Sequence, residues 1–389
     1  MGEVMTGNPV LEAEATIAAV EAFVLRVPIE TPVQTSFGMM RERPALLVRL
    51  TETGGRAGWG EIWCNFPACG AEHRARLVET VFAPLLQGLS FDDPALVTTT
   101  LEEKVHTLTV QSGEFGPFAQ VLAGIDCALW DLAAQRAGVP LWKLLGGSGP
   151  AVVPAYASGI NPVGAAESVA TQRARGHRAF KVKIGFEDEQ DVDVMRQARE
   201  AAGTAAMLMA DANQGWTVER AERVCAALAE VDLTWIEEPL PADSPRRHWS
   251  DLRERITIPV AAGENVRGLV GFQVMIASGL FDVIQPDCAK WGGVTGCLAA
   301  ARQALAQGRR YCPHFLGAGL GLAFSAHLLK AAGGDGLLEV DINENPLREE
   351  MAPWSFQPED GHLRLPEGVG VGVVPDAALL RQFGQDPGL

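Results

Sequence analysis

Six polar residues in the second half of the chain recur at nearly one interval, and each closes a short apolar run. They are Lys183 (in AFKVKIG), Asp211 (MLMADAN), Glu237 (LTWIEEP), Glu264 (IPVAAGEN), Asp287 (FDVIQPD) and His314 (RRYCPH). The gaps are 28, 26, 27, 23 and 27 residues, and Glu339 (GLLEV) follows 25 later. An interval of that size holds one strand, one loop and one helix. The apolar runs are too short for helices, and the stretches between them are long enough for one each. Polar side chains at the carboxyl ends of successive parallel strands describe the catalytic face of a (β/α)₈ barrel. The expected fold class is therefore α/β.

The barrel rhythm does not reach the first third of the chain. Residues 16–29 and 45–51 read as strands, and the turn-rich TGGR at 53–56 leads into AGWGEIW, so an antiparallel meander is expected. Loops are expected over 30–43 and 63–72, and helices over 73–87, 93–107 and 116–135. Barrel strand one is expected at 152–158 and the eighth is expected to end at Glu339. The segment 361–383 reads as an extended return followed by a short helix.

The 389 residues allow two or three domains, and 47% hydrophobic with 21% charged residues is ordinary for a soluble globular protein. No apolar stretch approaches a membrane span, so no transmembrane helix is expected. The acidic opening MGEVMTGNPVLEAEA argues against a targeting peptide and reads as a flexible tail over 1–15. A net charge of −16 disfavours nucleic acid and anionic membranes as partners. The seven cysteines are scattered without a CxxC pair, which predicts reduced thiols in a cytoplasm and no structural zinc.

Lys181 and Lys183 stand at i and i+2, so on a strand they share one face, here the barrel interior. Mutual repulsion and burial both lower a lysine pKa and favour a neutral amine that accepts a proton. Asp211, Glu237 and Glu264 end three consecutive expected strands. Three carboxylates converging on one mouth need a cation, and all-oxygen ligation favours a hard ion such as Mg²⁺. Glu238 is expected to point to the opposite face if the strand continues. Asp287 beside His314 can fix the imidazole tautomer and raise its basicity, leaving the other ring nitrogen as acid or base. Glu339 either hydrogen-bonds a substrate carboxylate or pairs with a loop arginine.

These segments resemble the enolase superfamily, specifically its mandelate racemase subgroup. The matching motifs are KVKIG, MADANQGW, WIEEPL, AAGEN, VIQPDCAKWGGVTG, CPHFLGAGLGLAFSAHLL and LLEVDINENPLRE, with IDCALWDLAAQRAGVPLWKLLGG similar to that family's domain junction. The resemblance implies a modified (β/α)₇β TIM barrel with an α+β capping domain completed by the C-terminal segment. The implied limits are a cap over 16–145, a barrel over 146–355 and a returning segment over 356–389. It further implies Asp211, Glu237 and Glu264 as Mg²⁺ ligands, Lys183 as a base with Lys181 beside it, and Asp287–His314 as the acid/base dyad on the other face. Glu339 is implied as an electrophilic or substrate-orienting acid. The substrate is then a small-molecule carboxylate that loses its α-hydrogen, and a homo-oligomer is expected.

Three outcomes share that step: dehydration of an acid sugar, which the resemblance favours, racemisation of an α-hydroxy acid, and cycloisomerisation of a sugar-acid lactone. A racemase with lysines on both faces would use Lys290, which His314 makes the weaker reading. Asn213, Ser36 and Asn65, with Gln34 and Thr35, are candidate substrate contacts. Trp63, Phe66, Met39 and Met40 suggest an apolar lid, and Arg41 and Arg43 either reach a distal carboxylate or face solvent. The TSFGMM loop is a candidate flap.

Overall fold

The computed structural model describes residues 15–35 and 38–385. But for Ala15, the tail expected over 1–15 lies outside them. So does Ser36, and so do the side chains of Gln34 and Thr35.

Strand β1 (Ala15–Thr35) pairs antiparallel with β2 (Gly38–Glu52), and β2 with β3 (Ala57–Ile62). The run ALLV in β2 is apolar at consecutive positions because both faces of this sheet are covered. Leu46, Val48 and Leu50 pack with Val121, Ile125 and Leu129 of the helix Phe115–Arg136. Ala45 and Leu47 face the other way, onto Leu320 and Phe324 of the barrel. Gly60 lets β3 touch that helix, since a Cβ there would stand 1.9 Å from the Gly124 carbonyl oxygen.

Much of the loop expected over 30–43 is instead the outer arm of the β1–β2 hairpin. Val33 pairs with Met40 beyond a register shift that begins at Pro28. Pro28 and Pro32 carry no N–H for a ladder, which made this stretch read as irregular. The helix Pro94–Ser112 starts at Asp93, whose side chain accepts from Ala95 N, and β4 (Ser90–Phe91) pairs with β1.

The barrel strands are β5 (Val152–Ile160), β6 (Ala179–Lys183), β7 (Met207–Asp211) and β8 (Trp235–Glu237). They continue as β9 (Val260–Ala262), β10 (Val283–Ile284), β11 (Arg310–Tyr311) and β12 (Leu338–Asp341). Their spatial order is β11-β10-β9-β8-β7-β6-β5-β12, all parallel, with a helix between each consecutive pair in sequence. One interior cluster takes Tyr156, Ala179, Met209, Trp235, Ala261, Val283, Cys312 and Leu337, one residue from each strand or its immediate flank. Leu337 N also donates to Cys312 Sγ at 3.3 Å, bringing the two ends of the sheet together. This dry layer closes the (β/α)₇β barrel and forms the floor under its mouth.

After the barrel, β13 (His362–Arg364) pairs antiparallel with β5, and β14 (Gly384–Gln385) pairs with β1. Between them Leu379 joins the cluster of Leu25 and Trp59. No helix among the described residues is long and apolar enough to cross a membrane.

Candidate active site

Period-two alternation carries the floor upward into the mouth. Above Ala179 on β6 stand Lys181 and then Lys183. Above Met209 comes Asp211, above Trp235 comes Glu237, and above Leu337 come Glu339 and Asp341. Lys183, Asp211 and Glu237 are the last residues of their strands, whereas Glu264, Asp287 and His314 lie two or three residues beyond theirs. Glu339 does not end β12 as expected; Asp341 does. These strands surround a cavity of ≈ 250 Å³ lined by, among others, Lys181, Lys183, Asp211, Glu264, His314 and Glu339.

Lys181 is the hub of the lower layer. Its Nζ contacts Glu237 Oε1, and lies 2.7 Å from Glu339 Oε1 and 3.8 Å from Asp211 Oδ2. Burial opposes its charge, but Glu237 and Glu339 outweigh that and hold the ammonium well above its ordinary pKa. The expectation that both lysines are depressed therefore fails for Lys181, because three carboxylates outweigh one neighbouring cation. It holds for Lys183, which burial lowers against the pull of Asp211 and Asp341. Glu339 is satisfied by Lys181, by Ser158 Oγ at 2.6 Å and by Phe315 N at 3.1 Å, not by a loop arginine.

Across the mouth, His314 Nδ1 lies 2.8 Å from Asp287 Oδ2, and Asp287 Oδ1 accepts from Ala289 N at 2.8 Å. With Asp287 fixing Nδ1, Nε2 faces Glu264 Oε2 at 2.8 Å. Burial would discharge the ring, but Glu264, Glu339 and Asp287 hold its pKa well above the usual histidine value. Lys290 reaches the same acid, its Nζ 3.1 Å from Glu264 Oε1 and 2.9 Å from Asn265 Oδ1. Both candidate cations of this side are thus brought together on Glu264.

The strand does not continue through Glu238. Its φ of +38° bends the chain, so its carboxylate accepts from Asn265 Nδ2 at 3.0 Å and stays at the mouth beside Glu264. Asn213, at φ +43°, donates from its N and Nδ2 to Asp211 at 2.8 and 2.9 Å and lines the cavity.

Among the described residues no group of three or more His, Cys, Asp or Glu already stands in a metal-ligating arrangement. The side chains show why. Glu237 is turned to Lys181 and to Gln285 Nε2 (2.6 Å), and Glu264 to His314 and Lys290. The donor set nevertheless suits a hard divalent ion: three carboxylates from β7, β8 and the residues after β9, with burial pushing Asp211 up and Glu237 to about 7. Seating such an ion requires Glu237 and Glu264 to swing from their present partners.

The sequence matches "Mandelate racemase / muconate lactonizing enzyme, N-terminal domain" over residues 19–146 and "Enolase C-terminal domain-like" over 164–379. The chain belongs to the enolase superfamily. It is 30% identical to D-galactarolactone cycloisomerase of Agrobacterium fabrum, over 94% of this chain and 98% of that one. A crystal structure of a mandelate racemase/muconate lactonizing enzyme from Bordetella bronchiseptica RB50 superposes with TM-score 0.90 at 50% identity, covering 95% of this chain and 99% of that one. A racemase from Streptomyces coelicolor A3(2) with bound magnesium gives TM-score 0.84 at 28% identity, covering 95% and 100%. Curated relatives include cycloisomerases, dehydratases and racemases.

In this enolase-superfamily chain the cavity has an apolar wall to which the cap gives Val33, Trp63 and Phe66 and the turn after β11 gives Phe315 and Leu316. Trp63 and Phe66 pack with centroids 6.1 Å apart, and Lys290 Nζ stands 4.9 Å over the Trp63 ring. Asn65 is a correction: its Nδ2 donates to Leu316 O at 2.7 Å, so it serves the loop and is not among the cavity's lining residues. Arg43 is another. It is buried and bound to Asp341 Oδ2 at 2.9 Å and Glu344 O at 3.0 Å, while Arg41 is exposed.

The sequence reading missed Gln285, Ser158, Asn265, Asp341 and Asn343. Gln285 and Asp341 each stand two residues from a named acid on the same face, so strand alternation held the signal for both. The other three depend on where loops and neighbouring strands fall.

Proposed function

We propose that this chain removes the α-hydrogen of a small carboxylate and expels a β-oxygen, acting as an acid-sugar dehydratase that forms a 2-keto-3-deoxy acid. The observation that carries this is the placement of Lys183 and of the Asp287–His314 pair on two sides of one cavity, with Lys181 and the carboxylates between them. Lys183, lowered by burial, accepts the α-proton. The electrons of that C–H bond form the new C=C bond, and the β C–O bond breaks with its pair on oxygen. His314 delivers a proton from Nε2, so the hydroxyl departs as water and the enol relaxes to the ketone. Asp287 holds the ring in the tautomer this needs.

A Mg²⁺ ion held by Asp211, Glu237 and Glu264 would supply positive charge to the substrate carboxylate and acidify its α-hydrogen. Lys181 adds a fixed cation on the same side, which answers how an acidic chain receives an anion. Lys290 and His314 contribute likewise.

A second reading, ring-opening cycloisomerisation of a sugar-acid lactone, uses the same two proton transfers with the ring oxygen leaving but staying attached. The apolar cap wall favours it, and the similarity to D-galactarolactone cycloisomerase supports it. Domain limits of 16–145, 146–355 and 356–389 belong to the same proposal, supported by the two family matches. A cytoplasmic setting is supported by seven free cysteines, six of them buried. Assembly as a homo-oligomer rests on the family likeness.

The test is a mass-spectrometric screen of acid sugars, their lactones and small α-hydroxy acids in D₂O with Mg²⁺. Loss of one water identifies a dehydratase and its substrate. A changed fragmentation pattern without that loss means ring opening, and deuterium gain alone means racemisation. Absence of deuterium from every acid in the screen would sink the proton-abstraction reading.

A further inference from the structure

Glu61 is a buried carboxylate that the proposed chemistry does not use. It sits next to the end of β3, in the cap, yet its side chain crosses into the barrel. There Oε1 accepts from Ala318 N at 2.6 Å and Oε2 from Gly321 N at 2.8 Å. Those two N–H groups open the helix Gly319–Ala332, whose N-cap residue Ala318 offers no side-chain acceptor of its own. A helix start needs such an acceptor and favours negative charge. Here a different domain supplies it.

The surrounding residues are shaped to this contact. A Cβ on Gly317 would stand 2.5 Å from Glu61 Oε1, and one on Gly321 would stand 3.3 Å from Oε2 and 2.3 Å from the Phe315 ring. The glycines of HFLGAGLG thus leave the space that the carboxylate and the Phe315 ring fill. The turn held in this way begins one residue after His314. Its other anchors are Phe315 N on Glu339 Oε2 at 3.1 Å, Leu316 O on Asn65 Nδ2 at 2.7 Å, and Gly317 O on Asn345 Nδ2 at 2.8 Å.

We propose that Glu61 is a positioning residue for His314: by gripping Ala318 and Gly321 from the cap, it fixes the turn 315–318 and through it the orientation of the imidazole. The proton donor is then aligned only when the cap is docked on the barrel. This rests on the reading of His314 as the acid/base.

The test uses the full chain with ¹⁵N-labelled histidine and saturating Mg²⁺, so that it needs no substrate. In E61Q the amide accepts one N–H and opposes the other. Amide hydrogen exchange across 315–321 is expected to rise at least about 10-fold. The ring ¹⁵N and Nδ1–H signals of His314 are expected to move, with Mg²⁺ affinity within about threefold of the parent. Faster exchange with unmoved His314 signals would leave Glu61 a mere anchor for the helix and overturn the proposal. So would unchanged exchange, or a collapse of Mg²⁺ affinity, which would mean general loosening. Should E61Q fail to fold, G317A crowds both Oε1 and the Phe315 ring, at 2.5 and 2.6 Å, without altering any charge, and it must shift the same His314 signals and speed exchange at Ala318 and Gly321 or the proposal falls. Full turnover by H314N, once a substrate is in hand, would instead refute the acid/base reading and leave the grip itself standing.

Discussion

Two buried guanidiniums share one carboxylate at Asp341. Arg43 and Arg348 approach its Oδ2 at 2.9 and 3.1 Å, and although burial opposes its charge they hold the acid down at about 2. Asp341→Asn leaves two buried cations uncompensated, and a loss of about 3–5 kcal/mol is expected in denaturant unfolding. At Lys183 the expectation concerns rate and not stability. Lys183→Met should lower kcat by roughly 10²–10⁴-fold with little change in the unfolding midpoint, because a buried, depressed amine contributes chemistry more than packing. Lys290→Ala should cost less than Lys183→Met in the same assay, since His314 stands on the same side of the cavity, on the other oxygen of Glu264; a larger loss would move the base to Lys290. Residues of this kind were legible where strand alternation or the barrel period applied to them. Asn65 was not, because its partner, Leu316 O, lies 251 positions away in the chain and no local pattern announces it.

At the scale of elements, carboxylates from the cap close the starts of two successive barrel helices. Glu61 serves Gly319–Ala332. Asp126, on Phe115–Arg136, serves Gly293–Ala306 by accepting from Thr295 N at 3.0 Å and Thr295 Oγ1 at 2.5 Å. Burial, against these hydrogen bonds, pushes Glu61 up to about 7 and Asp126 to about 6. Their unfolded values are about 4, so between there and the folded values the native chain binds protons that the unfolded chain has released. This contribution to stability is present below pH ~4 and is lost as pH rises through ~6–7. Asp126→Asn should therefore flatten the fall of the thermal midpoint between pH ~4 and ~6; a slope identical to the parent's would show that Asp126 does not titrate there. The hairpin arm beyond Pro28 belongs to this scale too. Its prolines hid a ladder that only the partner strand reveals.

For the whole molecule, a metal ion taken up by the acid cluster at the mouth would be linked to folding. An ion that binds the native chain alone stabilises it by RT ln(1 + [L]/Kd), about 2.7 kcal/mol at one hundred times Kd. Mg²⁺ should raise the thermal midpoint and EDTA should reverse the rise, with Asp211→Asn and Glu264→Gln abolishing it. An equal rise in both variants would place the ion elsewhere. The barrel, its strand order and the charged residues at its mouth were determined by sequence alone, because a 23- to 28-residue repeat and alternation along each strand are local rules that put such residues on one rim. Which charges meet was decided only by the tertiary structure. Lys181 is held charged by three carboxylates while Lys183, two residues on, is lowered by burial. Arg43 is bound by Asp341, and the turn after His314 is gripped by Glu61 from the cap. Each depends on desolvation and on partners from distant segments, and none is set by local pattern.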